Sequence, residues 1–227
     1  MTGSIQTRAS RIKLLLFDVD GVLTDAKMVL HADGSESKRF DIKDGLAIVW
    51  AQRAGLTVGF LSARTSPVTI HRAAQLGVTL VHQGVSSKLE TYEQIVGDFC
   101  EDDAEVAYMG DDIVDLPVLG RAGLAAAPSD AAADVRSRVH WVSTAKGGDG
   151  AARELIELIL RAQGRWESVV AAYLSEGCPV LDTPERDSLE PASSGNARGA
   201  SERRGSAGGE KNARASSAGV TPGGSGS

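Results

Sequence analysis

Short, uninterrupted apolar runs alternating with stretches of helical period constrain the fold of this chain more than any other feature. Residues 12–17 (IKLLLF), 57–61 (TVGFL) and 104–109 (AEVAYM) have the length and composition of buried strands, and 78–81 and 123–126 are shorter candidates. Residues 45–54, 66–76, 87–99, 116–121 and 151–163 carry helical patterns. In the last of these, Ala152, Leu155, Ile156, Ile159 and Leu160 fall on one face. Ser66 followed by Pro67 marks a helix start, and Gly77 marks a helix stop. Strands apolar on both faces, alternating with helices, predict an α/β fold: a Rossmann-like parallel sheet with helices on both faces. One segment breaks the rhythm. Residues 27–31 and 37–41 flank ADGSE, whose Asp33-Gly34 is a turn signal, so a β-hairpin is expected to project from the sheet.

The first apolar run ends abruptly in Asp18, and Asp20 follows in FDVDG. A carboxylate at the edge of a core needs a cation or aimed N–H groups nearby. In parallel sheets ligands bind beyond the carboxyl ends of the strands, and the other strand ends carry complementary groups. Ser62 and Arg64 follow the second long run in SAR, and Lys88 opens a helix in QGVSSKLE. Asp111, Asp112 and Asp115 follow the third in GDDIVD. Each pattern alone is common in loops, whereas the four together, in this order and at strand ends, are not.

Together they suit phosphoryl transfer to a carboxylate. An aspartate is anionic at neutral pH and needs no base to activate it. Its obstacle is the negative charge of the phosphate, which a Mg²⁺ ion with oxygen ligands removes. A lysine and a hydroxyl on the other side of the phosphate offset the charge on its equatorial oxygens. A carboxyl two residues from the nucleophile can protonate the leaving alkoxide and then activate water.

These four segments, spanning residues 12–127, resemble the four motifs of the haloacid dehalogenase (HAD) superfamily of phosphatases, in its order and at its ordinary spacing. The resemblance implies Asp18 as the nucleophile and Asp20 as the general acid/base. It implies a Mg²⁺ ion held by Asp18, the backbone carbonyl of Asp20 and Asp111, with Ser62 and Lys88 gripping the phosphate. Asp112 and Asp115 would orient waters or Lys88. No cap domain fits, because the hairpin and one helix use the stretch from Asp25 to Thr57, and a helix and a strand use that from Ser62 to Lys88.

A closer resemblance covers residues 12–175. FDVDGVLTD, the hairpin, FDIKDG, QGVSSKLE, VAYMGDDIVDLPVL and GGDGAARELIELIL are similar to the 3-deoxy-D-manno-octulosonate 8-phosphate phosphatases. That resemblance implies a cap-less homotetramer assembled through its hairpins, acting on a sugar acid phosphate in lipopolysaccharide biosynthesis. The substrate pairs its phosphate with a distant carboxylate, for which Arg64 is the candidate cation. The same subfamily contains phosphatases for nine-carbon 2-keto sugar acid 9-phosphates, and residues 18–115 do not separate the two. Ala63 stands where the family usually has glycine, and Asp149 in KGGDG where many members have a basic residue. Asp149 is therefore expected to face solvent or pair with a cation such as Lys146, the candidate to supply the missing charge. Two rivals come from other classes: a non-catalytic interaction domain on the same fold, and a phospho-acceptor receiver domain. The receiver would need neither Asp20 nor the GDD after a late strand.

From Asp182 onward the sequence turns to Ser, Gly, Ala, Arg and Glu with almost nothing large and apolar. The expected organisation is a flexible N-terminus over 1–11, a phosphatase domain over 12–177 and a disordered tail over 178–227. The tail from Asp182 is formally neutral, so the net charge of −6 rests on the residues before it. That acidic balance argues against a nucleic-acid partner. Cys100 and Cys178 have no metal-ligand spacing and read as reduced thiols. No run approaches the ~18 apolar residues of a membrane span, and MTGSIQTRASRIK lacks a signal core. A cytoplasmic protein with no membrane partner is expected. His31, His71, His82 and His140 are scattered and receive no role, and Trp166, Val169, Val170 and Tyr173 share one face of a short helix as packing residues.

Overall fold

A computed structural model of the chain describes residues 4–100 and 102–175; the tail expected at 178–227 lies outside the described residues. Helix α1 (Ile5–Ala9) precedes β1 (Leu14–Phe17), and β2 (Val29–Leu30) and β3 (Glu36–Ser37) form an antiparallel hairpin. There follow α2 (Ile42–Arg53), β4 (Thr57–Leu61), α3 (Pro67–Gln75), β5 (Leu80–His82), α4 (Lys88–Phe99) and β6 (Val106–Met109). The chain continues through α5 (Leu116–Leu119), β7 (Leu124–Ala127), α6 (Ala133–Arg136), β8 (Trp141–Val142), α7 (Ala151–Ala162) and α8 (Trp166–Leu174). Among the described residues, six strands form one sheet in the order β5-β4-β1-β6-β7-β8, parallel throughout. No described helix is long and apolar enough to cross a membrane.

Strand alternation explains why both faces are filled. Leu15 and Phe17, with Ala107, Met109, Val58 and Phe60, pack against residues of α1, α2 and α7. Leu14, Leu16, Leu61, Val106 and Tyr108 point the other way, against α4, α5 and α6. All four residues of β1 and all four of β6 are buried. Each large side chain so buried contributes about 1.5–3 kcal/mol. β1 therefore lies in the middle of the core, with β4 and β6 as its neighbours, and the three carboxyl ends converge.

The structure departs from the sequence expectations in several places. Residues within the segment expected to be flexible, 1–11, carry α1, because Ala9 packs into the core and Arg8 donates to the Gly123 carbonyl at 2.5 Å. The arms of the hairpin pair over only two residues each, with a further bridge between Thr24 and Phe40. Helix α2 begins at Ile42 rather than 45, because Asp41 caps the N–H groups of Lys43 and Asp44. Ser66 occupies the N-cap position of α3 but makes no cap hydrogen bond there, since its hydroxyl donates to Glu36 instead.

Candidate active site

Asp18 after β1, Lys88 at the start of α4, and Asp111 and Asp115 after β6 form one cluster of charge. Asp18, buried, accepts from Lys88 Nζ at 2.8 Å. Lys88 also donates to Asp115 Oδ1 at 2.6 Å. Asp115 is fully buried and fully used: its Oδ1 also accepts from the Tyr108 hydroxyl at 2.5 Å, and its Oδ2 from the N–H groups of Asp111 at 2.9 Å and Asp112 at 3.2 Å. An ammonium gripped by two buried carboxylates is held rigidly, and Asp115 is thereby the group that aims Lys88 at Asp18.

One cation does not balance this cluster. Burial, then the nearby Asp115, pushes the Asp18 carboxyl up to about 6 against the pull of Lys88. Burial, followed by Asp18, Asp115 and Asp112, pushes Asp111 up to about 8. Oxygens of Asp18, Asp111 and Asp115 lie within 4.8 Å of one another. Since Asp115 is already saturated, Asp18 and Asp111 are the pair with capacity left. Two under-compensated carboxylates offering only oxygen fit a hard divalent cation such as Mg²⁺. Gly21 allows the approach: its φ is +97°, and a Cβ there would lie 2.1 Å from Asp111 Oδ2.

The remaining residues are placed less uniformly. Ser62 is buried at the end of β4, where its hydroxyl accepts from the Arg64 N–H at 3.2 Å. Asp112, expected to orient waters or Lys88, instead caps the turn at Ile113–Asp115, accepting from Ile113 N–H at 2.7 Å. Arg64 is half-exposed, with Nε 3.6 Å from Asp20. Its terminal nitrogen donates to Glu36 at 3.2 Å and to the Met28 sulfur at 3.1 Å. Asp149 is exposed, as is Lys146.

Several groups around the site carry no sequence signal of their own. Lys38, at the end of the hairpin, places its ammonium 2.8 Å from Asp20 Oδ1 and 2.9 Å from Oδ2. Glu36 binds Arg64 and the Ser66 hydroxyl. The period-2 spacing of Glu36 and Lys38 puts them on one face of a strand, but only the path of the hairpin shows where that face points. Tyr108 reads as a core residue, and nothing in the sequence marks its hydroxyl as a partner of Asp115. The glycine pair of KGGDG packs on the loop after β1: a Cβ at Gly147 would lie 1.8 Å from the Gly21 carbonyl oxygen, and Gly148 donates to the Val22 carbonyl at 2.9 Å.

No protein-family model matches the chain. Individual proteins do. The chain is 38% identical over 160 residues to the 3-deoxy-D-manno-octulosonate 8-phosphate phosphatase KdsC of Yersinia pestis, an alignment covering 70% of this chain and 86% of that protein. A crystal structure of the 3-deoxy-D-manno-octulosonate 8-phosphate phosphatase of Moraxella catarrhalis, in complex with magnesium, phosphate and KDO, matches with a TM-score of 0.73 and 31% identity. That match covers 74% of this chain and 97% of the other. A Legionella pneumophila chain classed as a subfamily III A hydrolase of the HAD superfamily matches with a TM-score of 0.73 at 36% identity, covering 75% and 93% of the two chains.

Proposed function

The chain belongs to the 3-deoxy-D-manno-octulosonate 8-phosphate phosphatase family of the HAD superfamily, and from that premise we propose that it hydrolyses this sugar acid phosphate through an aspartyl-phosphate on Asp18. The observation that carries the reading is the buried Asp18 carboxylate at the end of β1, held at 2.8 Å by a buried lysine, with the Asp111 carboxylate, which has no ion pair among the described residues, beside it. Asp18, the Asp20 backbone carbonyl and Asp111 would hold Mg²⁺, which would neutralise the repulsion between nucleophile and phosphate. Lys88, fixed by Asp115, and Ser62 bind the phosphate oxygens. Asp18 attacks phosphorus, and Asp20 protonates the departing sugar oxygen. Asp20 then takes a proton from the water that releases phosphate from Asp18.

The substrate's carboxylate lies near Arg64. Arg64 is paired with Glu36 in the free protein, so the carboxylate would displace part of that pairing, which a neutral sugar cannot do. Assembly as a homotetramer is supported by the hairpin, where Met28, Val29 and Leu30 are exposed on a two-stranded element too small to be stable unsupported. A cytoplasmic location suits a Mg²⁺ enzyme with a small soluble substrate. The test is kcat/KM, measured with Mg²⁺, for 3-deoxy-D-manno-octulosonate 8-phosphate against nine-carbon 2-keto acid 9-phosphates and hexose phosphates, on wild type and Arg64→Ala. The eight-carbon acid is expected to win, and Arg64→Ala to cost it roughly 30- to several-thousand-fold. The same change should leave a neutral aryl phosphate much less affected. Preference for hexose phosphates, or an equal loss on every substrate, contradicts the substrate assignment and leaves the phosphatase chemistry standing.

A further inference from the structure

The hairpin is an exposed element, with Val29 58% and Leu30 69% exposed, yet the Lys38 side chain at its end is only 1% exposed. Taking an ammonium out of water is costly unless it finds a well-placed counter-charge. Lys38 finds one in both oxygens of Asp20, at 2.8 and 2.9 Å. The other cation near this carboxylate among the described residues is Arg64, at 3.6 Å and itself shared with Glu36. Asp20 sits on the loop after β1, partly open to solvent and beside Gly21 with its positive φ. Its side chain needs an external partner to keep one direction. Glu36, two residues before Lys38, reaches Ser66 and Arg64 on the loop after β4. The end of the hairpin thus brings a cation to Asp20 and an anion to Arg64 and Ser66.

We propose that Lys38 is a positioning residue for Asp20: the hairpin, through its two hydrogen bonds, fixes the direction of the carboxyl group that moves the proton. The proposal rests on the phosphatase reading and deepens it. For the first step Asp20 carries a proton on one oxygen and accepts from Lys38 through the other; that proton passes to the sugar oxygen as Asp18 forms its bond to phosphorus and the phosphorus–sugar oxygen bond breaks. As water displaces Asp18 from phosphorus, the same group must face the water and take its proton. Misdirection slows both half-reactions without weakening the hold of Lys88 and Ser62 on the phosphate. In a site without a cap, the hairpin supplies from outside the sheet the orientation that a covering domain would otherwise give.

The experiment is a double-mutant cycle on the full chain with Mg²⁺ and 3-deoxy-D-manno-octulosonate 8-phosphate. Lys38→Met is expected to lower kcat about 10- to 100-fold, part of what a general acid/base supplies, with KM within about three-fold. Lys38→Arg, which keeps a charged donor, should recover most of the loss. In an Asp20→Asn background, Lys38→Met should cost less than about three-fold, since the group it directs no longer transfers protons. Far-UV circular dichroism and native mass confirm folding, and Lys38→Gln replaces Lys38→Met if the latter does not fold. An unchanged kcat in Lys38→Met overturns the proposal. So does a loss equally large with Asp20→Asn, or one carried by KM alone. A wild-type protein inactive on every phosphomonoester would overturn the phosphatase reading and this proposal with it, which an active enzyme with an additive cycle would not.

Discussion

Replacing Asp44 by asparagine tests how the structure joins helix α7 to the loop beside the active site. Asp44 lies in the first turn of α2, is 2% exposed, and accepts the N–H groups of Gly150 at 3.2 Å and Arg153 at 2.8 Å. Gly150 has no side chain with which to cap α7, so Asp44 caps it from another helix. Burial pushes this carboxyl up to about 6, against the two N–H bonds, with Asp41 and Asp149 adding to the rise and Arg72 also facing it. A folded value above the ordinary 3.8 means that the fold favours the protonated form. The associated stability is complete below pH 3.8 and is lost as pH rises through 6. The difference corresponds to roughly 3 kcal/mol, of which about 2 kcal/mol falls between pH 4.5 and 8. Asparagine does not titrate. Unfolding of wild type and Asp44→Asn, followed by circular dichroism across that range, should show wild type losing about 2 kcal/mol relative to the variant as pH rises. In a domain of this size that is a relative change of about 4–8 °C in Tm. Parallel curves, or a wild type that gains on the variant, would refute the reasoning. They would mean that the N–H bonds and the dipole of α7 outweigh burial.

Other perturbations give equally definite outcomes. Lys88→Met leaves Asp18 and Asp115 facing each other without their shared cation; it should cost about 3–5 kcal/mol of stability in urea denaturation with EDTA present, and reduce kcat by at least roughly 100-fold. Gly147→Ala would drive a Cβ to 1.8 Å from the Gly21 carbonyl, where backbone meets backbone, so a loss of about 1–3 kcal/mol or more is expected together with a fall in kcat; an unchanged Tm and rate would contradict that packing. Tyr108→Phe removes one of the four hydrogen bonds to Asp115 and should cost about 1 kcal/mol while kcat changes only a few-fold. EDTA should abolish turnover and added Mg²⁺ restore it, and full activity in metal-free buffer would count against the metal site.

Much of this molecule is legible in its sequence because the physics is local there. A run such as LLLF can be satisfied only by burial on both faces, and the charged residues that follow it must therefore sit at a strand end. The convergence of Asp18, Asp111 and Asp115 follows from sheet order once β1 and β6 are adjacent, and Lys88 joins them from the start of α4, the helix after β5. What escapes is set by tertiary path. Lys38, in ESKRF, reads as a solvated hairpin lysine; its burial depends on the hairpin folding back over the loop after β1. Ser66 has the sequence of a helix cap, but Glu36 takes its hydroxyl. β8, only two half-buried residues at the sheet edge, has too little apolar pattern to announce itself. Helix α1 is five residues long and owes its place to Ala9 and Arg8 rather than to any helical period.

The account stands on Asp18 carrying the phosphoryl group. Enzyme mixed with substrate labelled in its phosphate, and quenched in acid within the first turnover, should retain label on the peptide containing Asp18. Asp20→Asn, slow in the hydrolytic half, should be quenched with the label still in place after the wild type has discharged it. The bond should be cleaved by hydroxylamine, as an acyl phosphate is, and Asp18→Asn should neither take up label nor release phosphate. Phosphate released at an undiminished rate by Asp18→Asn, or label found on any other residue, would contradict the mechanism at its centre.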